Sequence, residues 1–383
     1  MDGDKIRDDP LIGDVVRRSI TSWTESTADR KKTEVLENYH RFHLRRWMFM
    51  GVCIAALIVL SGYALTIGDY RIDFTRCFAI VWEHVTGNIV PTTDGKLEDY
   101  VVCTLRLPTV VVGIIAGVSL AICGVAMQSI LKNPLADPYT TGVSSGAGFG
   151  ATLAIVAGAS IVTDEYAIVG NAFIFALIPT GVIILVSKLK NSSPTTMIMA
   201  GVAVMYIFNA ASTIIKLWGD PNSLSAILEW QVGSIGGIPW KNIPIMMVAM
   251  SAGCLIIQTL SRKLNVLATG EDSAKALGLD VEKIRMLTMI VVALLAAAIV
   301  SFTGLIGFVG LVAPHVVRIV IGADNRYLVP ISAMFGAIVL LAAEIVGKTV
   351  ISPSVIPVGV ITSFIGGPLF LWLLLRKKSE VWG

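Results

Sequence analysis

A stretch from Gly142 to Gly146 matches the GxSxG pattern that surrounds the nucleophilic serine of many hydrolases. That chemistry requires a strand-to-helix turn, with a histidine and an acid in reach of Ser144. Here the pattern starts an apolar block, and the histidines of the chain lie elsewhere, at His40, His43, His84 and His315. Glycines that allow helix packing and serines that bond to the backbone explain the pattern more simply. We therefore predict no catalytic residue and keep a membrane-embedded serine hydrolase as a minor alternative.

Residues 342–349, with the sequence AAEIVGKT, differ at one position from the phosphate-binding loop GxxxxGKS/T. Ala342 stands where the first glycine belongs, and the stretch ends an apolar block rather than following a soluble strand. A loop that wraps phosphates with backbone N–H groups needs that glycine and that context. The sequence therefore predicts no nucleotide site, no bound cofactor and no enzymatic activity in this chain.

Metal-binding patterns are missing from the sequence. The five cysteines show no CxxC spacing, and there is no HExxH motif, so we predict no metal site. Cys77 and Cys103 lie in one polar segment and could pair if that segment is extracytoplasmic. Spacing alone cannot fix a disulfide, so this pairing stays open.

Glu344 is the only acid well within an apolar block. A charge at the centre of a bilayer costs about 2.5–3.5 kcal/mol on insertion scales, so ion-driven carriers keep such residues for function. One glutamate near a block's end gives weak support for a proton or sodium relay. An ion-coupled secondary transporter is therefore the alternative, and the sequence favours energy supplied by a partner.

The elements that position these residues are apolar blocks of about 20 residues, long enough for a helix to cross a hydrocarbon core about 30 Å thick. The chain is 55% hydrophobic and 15% charged, with a mean hydropathy of +0.76. We predict an all-α polytopic membrane protein with about ten transmembrane helices. The blocks are Trp47–Ile67, Leu107–Leu131, Thr140–Val162, Ala167–Leu189, Thr196–Trp218, Ile243–Leu260, Met286–Val300, Thr303–Ile321, Leu328–Val346 and Ile356–Leu375.

The distribution of positive charge sets the orientation. An even number of spans puts both termini on one side, and with cytoplasmic termini the inner loops and C-terminus hold 13 Lys/Arg against 7 outside. The positive-inside rule favours that orientation. We predict a multi-pass protein of the plasma or inner membrane, with a cytoplasmic tail over 1–46, a membrane domain over 47–378 and a cytoplasmic C-terminus over 379–383.

Three polar segments interrupt the blocks. Gly68–Arg106 is predicted to be external, with a short helix around Phe74–Val85, and Gly219–Lys241 is also external. Ser261–Arg285 is predicted to be cytoplasmic and holds nine charged residues with a helix-like run from Glu271 to Leu277. It is either a solvated loop or a surface that binds a cytoplasmic partner.

From Arg45 to Lys378 the chain resembles the FecCD-type permeases of ABC importers for iron siderophores, haem and cobalamin. The residues that carry the resemblance form several ordered motifs: Leu105-Arg106-Leu107-Pro108, Gly124–Gln128, Asn133–Pro138, Gly142–Gly148, Ala274–Gly278, Gly304–Leu311, Pro314-His315-x-x-Arg318 and Pro357–Thr362.

The resemblance implies a cobalamin-importer-permease-like fold of ten helices that pairs with a second copy of itself in the lipid bilayer. It implies two cytoplasmic ATPase subunits that use the ATP, an extracytoplasmic substrate-binding protein, and no nucleic-acid partner. The cargo would be an iron chelate (siderophore or haem) or cobalamin, imported by alternating access at the homodimer interface, with iron chelates the first choice.

Roles for individual residues also follow from the resemblance. The gate on the cytoplasmic side would include Asn133, Leu135 and Thr195. Coupling to the ATPase, in a loop over 261–285, would use Glu271, Asp272, Ala274, Leu277 and Gly278. Docking of the binding protein would use Arg106 and Lys348, although Thr109 stands where relatives have a second arginine. Lys348 matches a later arginine of the family, and a lysine does not reproduce bidentate arginine contacts. These two departures leave the strength of docking open.

Overall fold

The computed structural model describes residues 43–68, 70, 72–87, 93–162, 164–189 and 193–375. The chain divides into two compact units, residues 1–51 and 52–383. In the first unit the described residues are 43–51, which form the first turns of one helix. Most of the predicted N-terminal tail and all of the predicted C-terminus (379–383) lie outside the described residues.

Every regular element in the described part of the chain is a helix. In chain order these are α1 (His43–Thr66), α2 (Phe74–Thr86), α3 (Thr93–Asp99), α4 (Leu107–Leu131), α5 (Val143–Ala157), α6 (Ala167–Leu189), α7 (Pro194–Lys216), α8 (Pro221–Val232), α9 (Ile243–Ala268), α10 (Glu271–Ala276), α11 (Val281–Thr303), α12 (Val309–Ile321), α13 (Asn325–Thr349) and α14 (Val358–Leu375).

Seven of these helices are long and apolar enough to cross a membrane: α1, α4, α6, α7, α9, α11 and α13. The shorter helices α5, α12 and α14 are apolar as well. Together these ten correspond one to one with the ten blocks read from the sequence. The predicted all-α membrane fold is confirmed.

Several predicted boundaries were wrong, because hydropathy alone does not mark where helices end. The helix α9 runs on to Ala268 and α11 begins at Val281, so the polar loop predicted over 261–285 shrinks to 269–280. Conversely, α12 begins only at Val309, because Gly304 and Phe308 both adopt positive φ (68° and 67°), which interrupts a right-handed helix.

Close backbone contacts hold the helices around α4. A Cβ added to Gly117 would lie 2.5 Å from the carbonyl oxygen of Gly336 on α13, and one on Gly124 would lie 1.8 Å from that of Gly310 on α12. Small residues at such crossings let backbones approach where lipid supplies no hydrophobic drive for association. Gly117 and Gly124 are therefore packing positions.

Non-helical backbone meets in the middle of the bundle. The amide of Ser234 donates to the carbonyl of Thr303 (2.7 Å), and that of Gly359 donates to the carbonyl of Gly233 (3.2 Å). The amide of Ile306 donates to the hydroxyl of Tyr139 (3.1 Å). Broken helices are tolerated in a membrane protein when neighbouring segments satisfy their backbone groups in this way.

The predicted short external helix is present as α2, which carries exposed Phe74, Phe78 and Trp82 on one face. Aromatic rings on such a face suit the membrane–water interface. A π-helical turn over Tyr100–Arg106 joins α3 to α4. Cys77 and Cys103 are both buried and free, so the pairing left open by the sequence does not occur.

Candidate functional site

The short helix α10 stands at one end of the bundle, called here the α10 end. It stops in a Schellman motif, because the amide of Leu279 donates to the carbonyl of Ala274 (3.0 Å) and that of Gly278 to the carbonyl of Lys275 (2.9 Å). Gly278 has a φ of +79°, a conformation that side chains other than glycine rarely adopt. The structure thus gives a reason for a glycine at position 278, because this residue ends the helix.

The five residues predicted for coupling gather on this one turn. Ala274 is fully buried, whereas Leu277 projects with 73% of its surface exposed and Asp272 is exposed beside it. Glu271 forms an ion pair with Arg285, a buried residue of α11. A helix anchored on one side, with an apolar tip flanked by charge on the other, is suited to bind another protein.

Behind α10, a polar network ties α4, α9 and α13 together. The side chain of Asn265 donates to Asp324 (2.7 Å) and accepts from the amide of Asn325 (2.8 Å), and Ser129 donates to the Asn325 side chain (3.2 Å). Burial disfavours the charged form of Asp324, but hydrogen bonds from Arg326 and Asn265 outweigh it and hold its pKa at about 2. The helices behind α10 are therefore firmly joined.

Two motif residues far apart in sequence meet within this end of the bundle. The guanidinium of Arg318 on α12 donates to the side-chain oxygen of Gln128 on α4 (2.8 Å), and both residues are buried. A buried charge needs such a partner, because leaving it unpaired is costly. This hydrogen bond between two of the sequence motifs therefore fixes α12 against α4.

The predicted gate residues also lie at the α10 end. Asn133 and Leu135 share one turn after α4, where the Asn133 side chain accepts a hydrogen bond from the amide of Leu135 (2.9 Å), and Leu135 is 41% exposed. Thr195 is exposed in the first turn of α7, which Ser193 caps by accepting from the amide of Thr196 (3.1 Å). Asn133 and Leu135 are therefore joined by a hydrogen bond in one turn, whereas Thr195 lies at the start of another helix, α7.

The opposite end, called here the Arg106 end, contains a cavity of about 440 Å³. Its lining includes both residues predicted for docking, Arg106 and Lys348, together with Thr109. Arg106 is only 5% exposed, and its guanidinium donates to the carbonyls of Leu65 (2.8 Å) and Thr66 (3.3 Å) at the end of α1. This contact places positive charge at a helix C-terminus, where it is favourable.

Lys348 forms an ion pair with Glu344 one turn earlier on α13, at 2.9 Å. The side chains are 19% and 7% exposed, so both are shielded from bulk water. The glutamate considered for an ion relay is thus held by a neighbouring ammonium group.

A second, polar cavity of about 290 Å³ lies among α5, α7 and the end of α8, and no motif in the sequence predicted it. Its described lining includes Ser144, Asn209, Thr213, Lys216, Gln231 and Leu305. Lys216 is the one charged residue in that described lining and donates to Gln231 at 3.4 Å. Since the described lining offers Ser144 neither a histidine nor an acid, the arrangement does not support a hydrolase.

A sequence profile of the FecCD transport family matches residues 54–376. The chain is 37% identical to a cobalamin import system permease protein of Halobacterium salinarum, over 84% of this chain and 88% of that protein. It is 31% identical to a hemin transport system permease protein of Yersinia pestis, over 87% of this chain and 97% of that protein. It also resembles the solved structure of a metal-chelate type ABC transporter in an inward-facing conformation, with a TM-score of 0.75, 28% sequence identity, and coverage of 86% of this chain and 99% of the other.

Proposed function

Since this chain belongs to the FecCD transport family, the permease subunits of ABC importers for iron chelates, haem or cobalamin, we propose that it works as one half of an ATP-driven importer. Two copies form the translocation path between them, and two ATPase subunits bind at the α10 end. A substrate-binding protein delivers cargo at the Arg106 end. In this proposal the α10 end and both termini are cytoplasmic.

The observation that carries the proposal is α10 itself. It offers a partner the exposed side chain of Leu277, while the Glu271–Arg285 ion pair connects it to α11. A push on α10 would therefore reach a long transmembrane helix through a charged, hydrogen-bonded contact. Through this contact and the short chain segments that join α10 to α9 and α11, nucleotide binding on a separate subunit would act on the gates near Asn133, Leu135 and Thr195.

Docking of the binding protein is proposed for the rim of the cavity at the Arg106 end. Lys348 and Arg106 make that cavity positive, and Glu344 offsets part of the charge. Arg106 is bound to the end of α1 and Lys348 to Glu344, so an acidic side chain of the binding protein has to share or replace these contacts. Thr109 donates to the carbonyl of Leu105 (2.8 Å) and supplies no charge, so docking here should be weaker than with two arginines.

For cargo, we propose an iron chelate first and cobalamin second. The polar cavity supports a substrate with acidic groups, because Lys216 supplies a positive charge among neutral hydrogen-bonding side chains. The relatives named for hemin and for cobalamin leave both classes open. Glu344, the candidate residue of the ion-coupled alternative, is paired with Lys348, and the uptake experiment distinguishes the two mechanisms.

The test is uptake in proteoliposomes that contain the permease, its ATPase and its binding protein. We expect uptake that needs ATP, stops with vanadate and persists with an ionophore, and no ATP hydrolysis by the permease alone. Leu277→Ala should lower ATPase stimulation several-fold, whereas Leu255→Ala, which truncates an equally exposed leucine of α9 (68%), should not. Uptake that collapses with the ionophore and ignores vanadate would disprove the proposal.

A further inference from the structure

Three potential metal ligands converge at the Arg106 end. His84 near the end of α2, Asp99 at the end of α3 and Cys103 in the π-helical turn place one ligand atom each within 4.8 Å of one another. His84 Nδ1 and Asp99 Oδ1 are 2.7 Å apart. None of these residues has a role in the proposed transport mechanism.

Asp99 and Cys103 lie on one face of the helical segment that leads from α3 into α4. Asp99 ends α3, and Cys103 follows four residues later in the π-helical turn, a spacing that puts both side chains on the same side. The indole of Trp240 donates to the carbonyl of Cys103 (2.8 Å) and fixes the turn from the other side. Isolated π-turns are uncommon and occur frequently at functional sites. Because His84 comes from a separate helix, no local spacing in the sequence reveals the three residues as a group.

The chemistry of the three groups is specific. Imidazole, carboxylate and thiolate are the ligand types of zinc, bound at about 2.0–2.3 Å in tetrahedral geometry, so neighbouring ligand atoms lie about 3.4–3.8 Å apart. The ligand atoms lie within 4.8 Å of one another, with His84 Nδ1 and Asp99 Oδ1 2.7 Å apart, so zinc binding requires these separations to adjust by about 1 Å. A thiol does not suit calcium or magnesium, which prefer oxygen ligands.

We propose that His84, Asp99 and Cys103 bind one divalent transition-metal ion, with zinc as the expected ion. The fourth position is left for water, and binding releases the thiol proton of Cys103 to solvent. His84 is half exposed (50%), whereas Cys103 is buried (3%), so the ion would enter from the imidazole side. The bound ion would hold α2 against the segment that joins α3 to α4. The prediction of no metal site, made from spacing alone, is thereby replaced by a testable site.

The experiment uses the full purified chain in detergent, with thiols reduced, any affinity tag removed, and cobalt(II) chloride as the probe. We expect one cobalt ion per chain, with a thiolate-to-cobalt charge-transfer band that zinc chloride abolishes. Cys103→Ser should lose the band, and Cys254→Ser, which changes a free thiol on α9, should keep it. His84→Ala and Asp99→Asn should weaken cobalt binding about 10-fold or more.

A second readout is the thermal unfolding temperature, which zinc should raise for the wild-type chain and for Cys254→Ser but not for His84→Ala. Absence of the charge-transfer band in the wild-type chain, or its persistence in Cys103→Ser, would overturn the site. If Cys103→Ser does not fold, His84→Ala decides, because it alters a half-exposed side chain, and an unchanged cobalt affinity would then refute the proposal. Neither readout depends on transport, so this proposal and the proposed function fail independently.

Discussion

At the scale of single residues, charged side chains within the apolar bundle each bind a polar or oppositely charged partner, as Glu344, Lys348 and Arg318 show. The sequence singled out Glu344 as an acid within an apolar block and Lys348 as a docking residue, but only the structure shows that they are paired and shielded. Likewise, the pairing of Gln128 with Arg318 spans 190 positions and could not be read from spacing. Types of residue were predictable, whereas contacts between distant segments were not.

Removing one member of the Glu344–Lys348 pair should destabilise the protein. Glu344→Gln leaves the Lys348 ammonium without its counter-charge, and we expect a loss of about 2 kcal/mol, below the value for a fully buried pair because Lys348 is 19% exposed. The double variant Glu344→Gln/Lys348→Met should recover most of that loss, as measured by unfolding in detergent. ATP-driven uptake by Glu344→Gln, which keeps Lys348, should persist, and loss of uptake by the folded Glu344→Gln protein would instead favour an ion relay.

Lys216 should determine the affinity for acidic cargo. A charge-assisted hydrogen bond contributes about 1.5–3 kcal/mol, so Lys216→Met should raise the half-saturating cargo concentration about 10-fold or more. Lys216→Arg should retain most of the affinity. Lys241→Met is the matched control, because Lys241 is an exposed lysine paired with Glu165 outside the cavity. Equal half-saturation in the Lys216→Met and wild-type proteins would contradict a role in cargo binding.

At the scale of elements, periodicity and apolarity identified the helices well and their ends poorly. The polar residues Arg262 and Lys263 lie within α9, because this helix continues past the end of the apolar block to Ala268. The interruption before α12 depends on two positive φ angles, of which the one at Phe308 carries no sequence signal, since such angles are uncommon outside glycine. The short helix α10 was predictable because its acids and its terminal glycine lie within one short segment, and its role in coupling stays a prediction.

Gly278→Ala tests the coupling turn. The substitution forces alanine into a φ of +79° and costs about 1 kcal/mol, which should loosen the end of α10 and lower the ATP hydrolysed per complex several-fold. Gly237→Ala is the matched control, because Gly237 has a φ of +76° and also has no neighbour within 4 Å, but lies at the Arg106 end. Equal ATPase stimulation by both variants would show that α10 does not need its fixed ending.

Gly124→Ala tests the contact between α4 and α12. Its methyl group would lie 1.8 Å from the Gly310 carbonyl oxygen, so the helices must separate, at a cost of about 3 kcal/mol. Gly181→Ala adds the same methyl group to α6 with no neighbour within 4 Å, and we expect unchanged or slightly higher stability. Thermal unfolding of both variants in detergent is the measurement. Similar unfolding temperatures would contradict the packing role.

At the scale of the whole molecule, the number of spans and the distribution of positive charge determine the proposed orientation. The sequence was sufficient for the number of apolar helices, because each of the ten apolar blocks became a helix, and the orientation stays a prediction. The cavities were beyond its reach, since each is lined by segments far apart in the chain, such as Thr109, Trp240 and Lys348 around one of them.

Membrane-impermeant thiol labelling tests the orientation. Lys241→Cys should be labelled in intact cells, whereas Lys275→Cys, an exposed position on α10, should be labelled only after the membrane is opened. Four of the five native cysteines are buried and Cys254 is partly buried, so the unsubstituted chain supplies the background. Labelling of both positions from the same side would remove the basis for the proposed partners.

The short helices α5 and α12 have a consequence for the barrier that cargo must cross. With 15 and 13 residues they span about 22 Å and about 20 Å, against about 37 Å for the 25-residue α4. The turns around Tyr139 and Ile306 come just before their first residues. Each helix is shorter than a hydrocarbon core about 30 Å thick, so the barrier at these two places consists partly of polar peptide groups whose hydrogen bonds come from neighbouring protein segments.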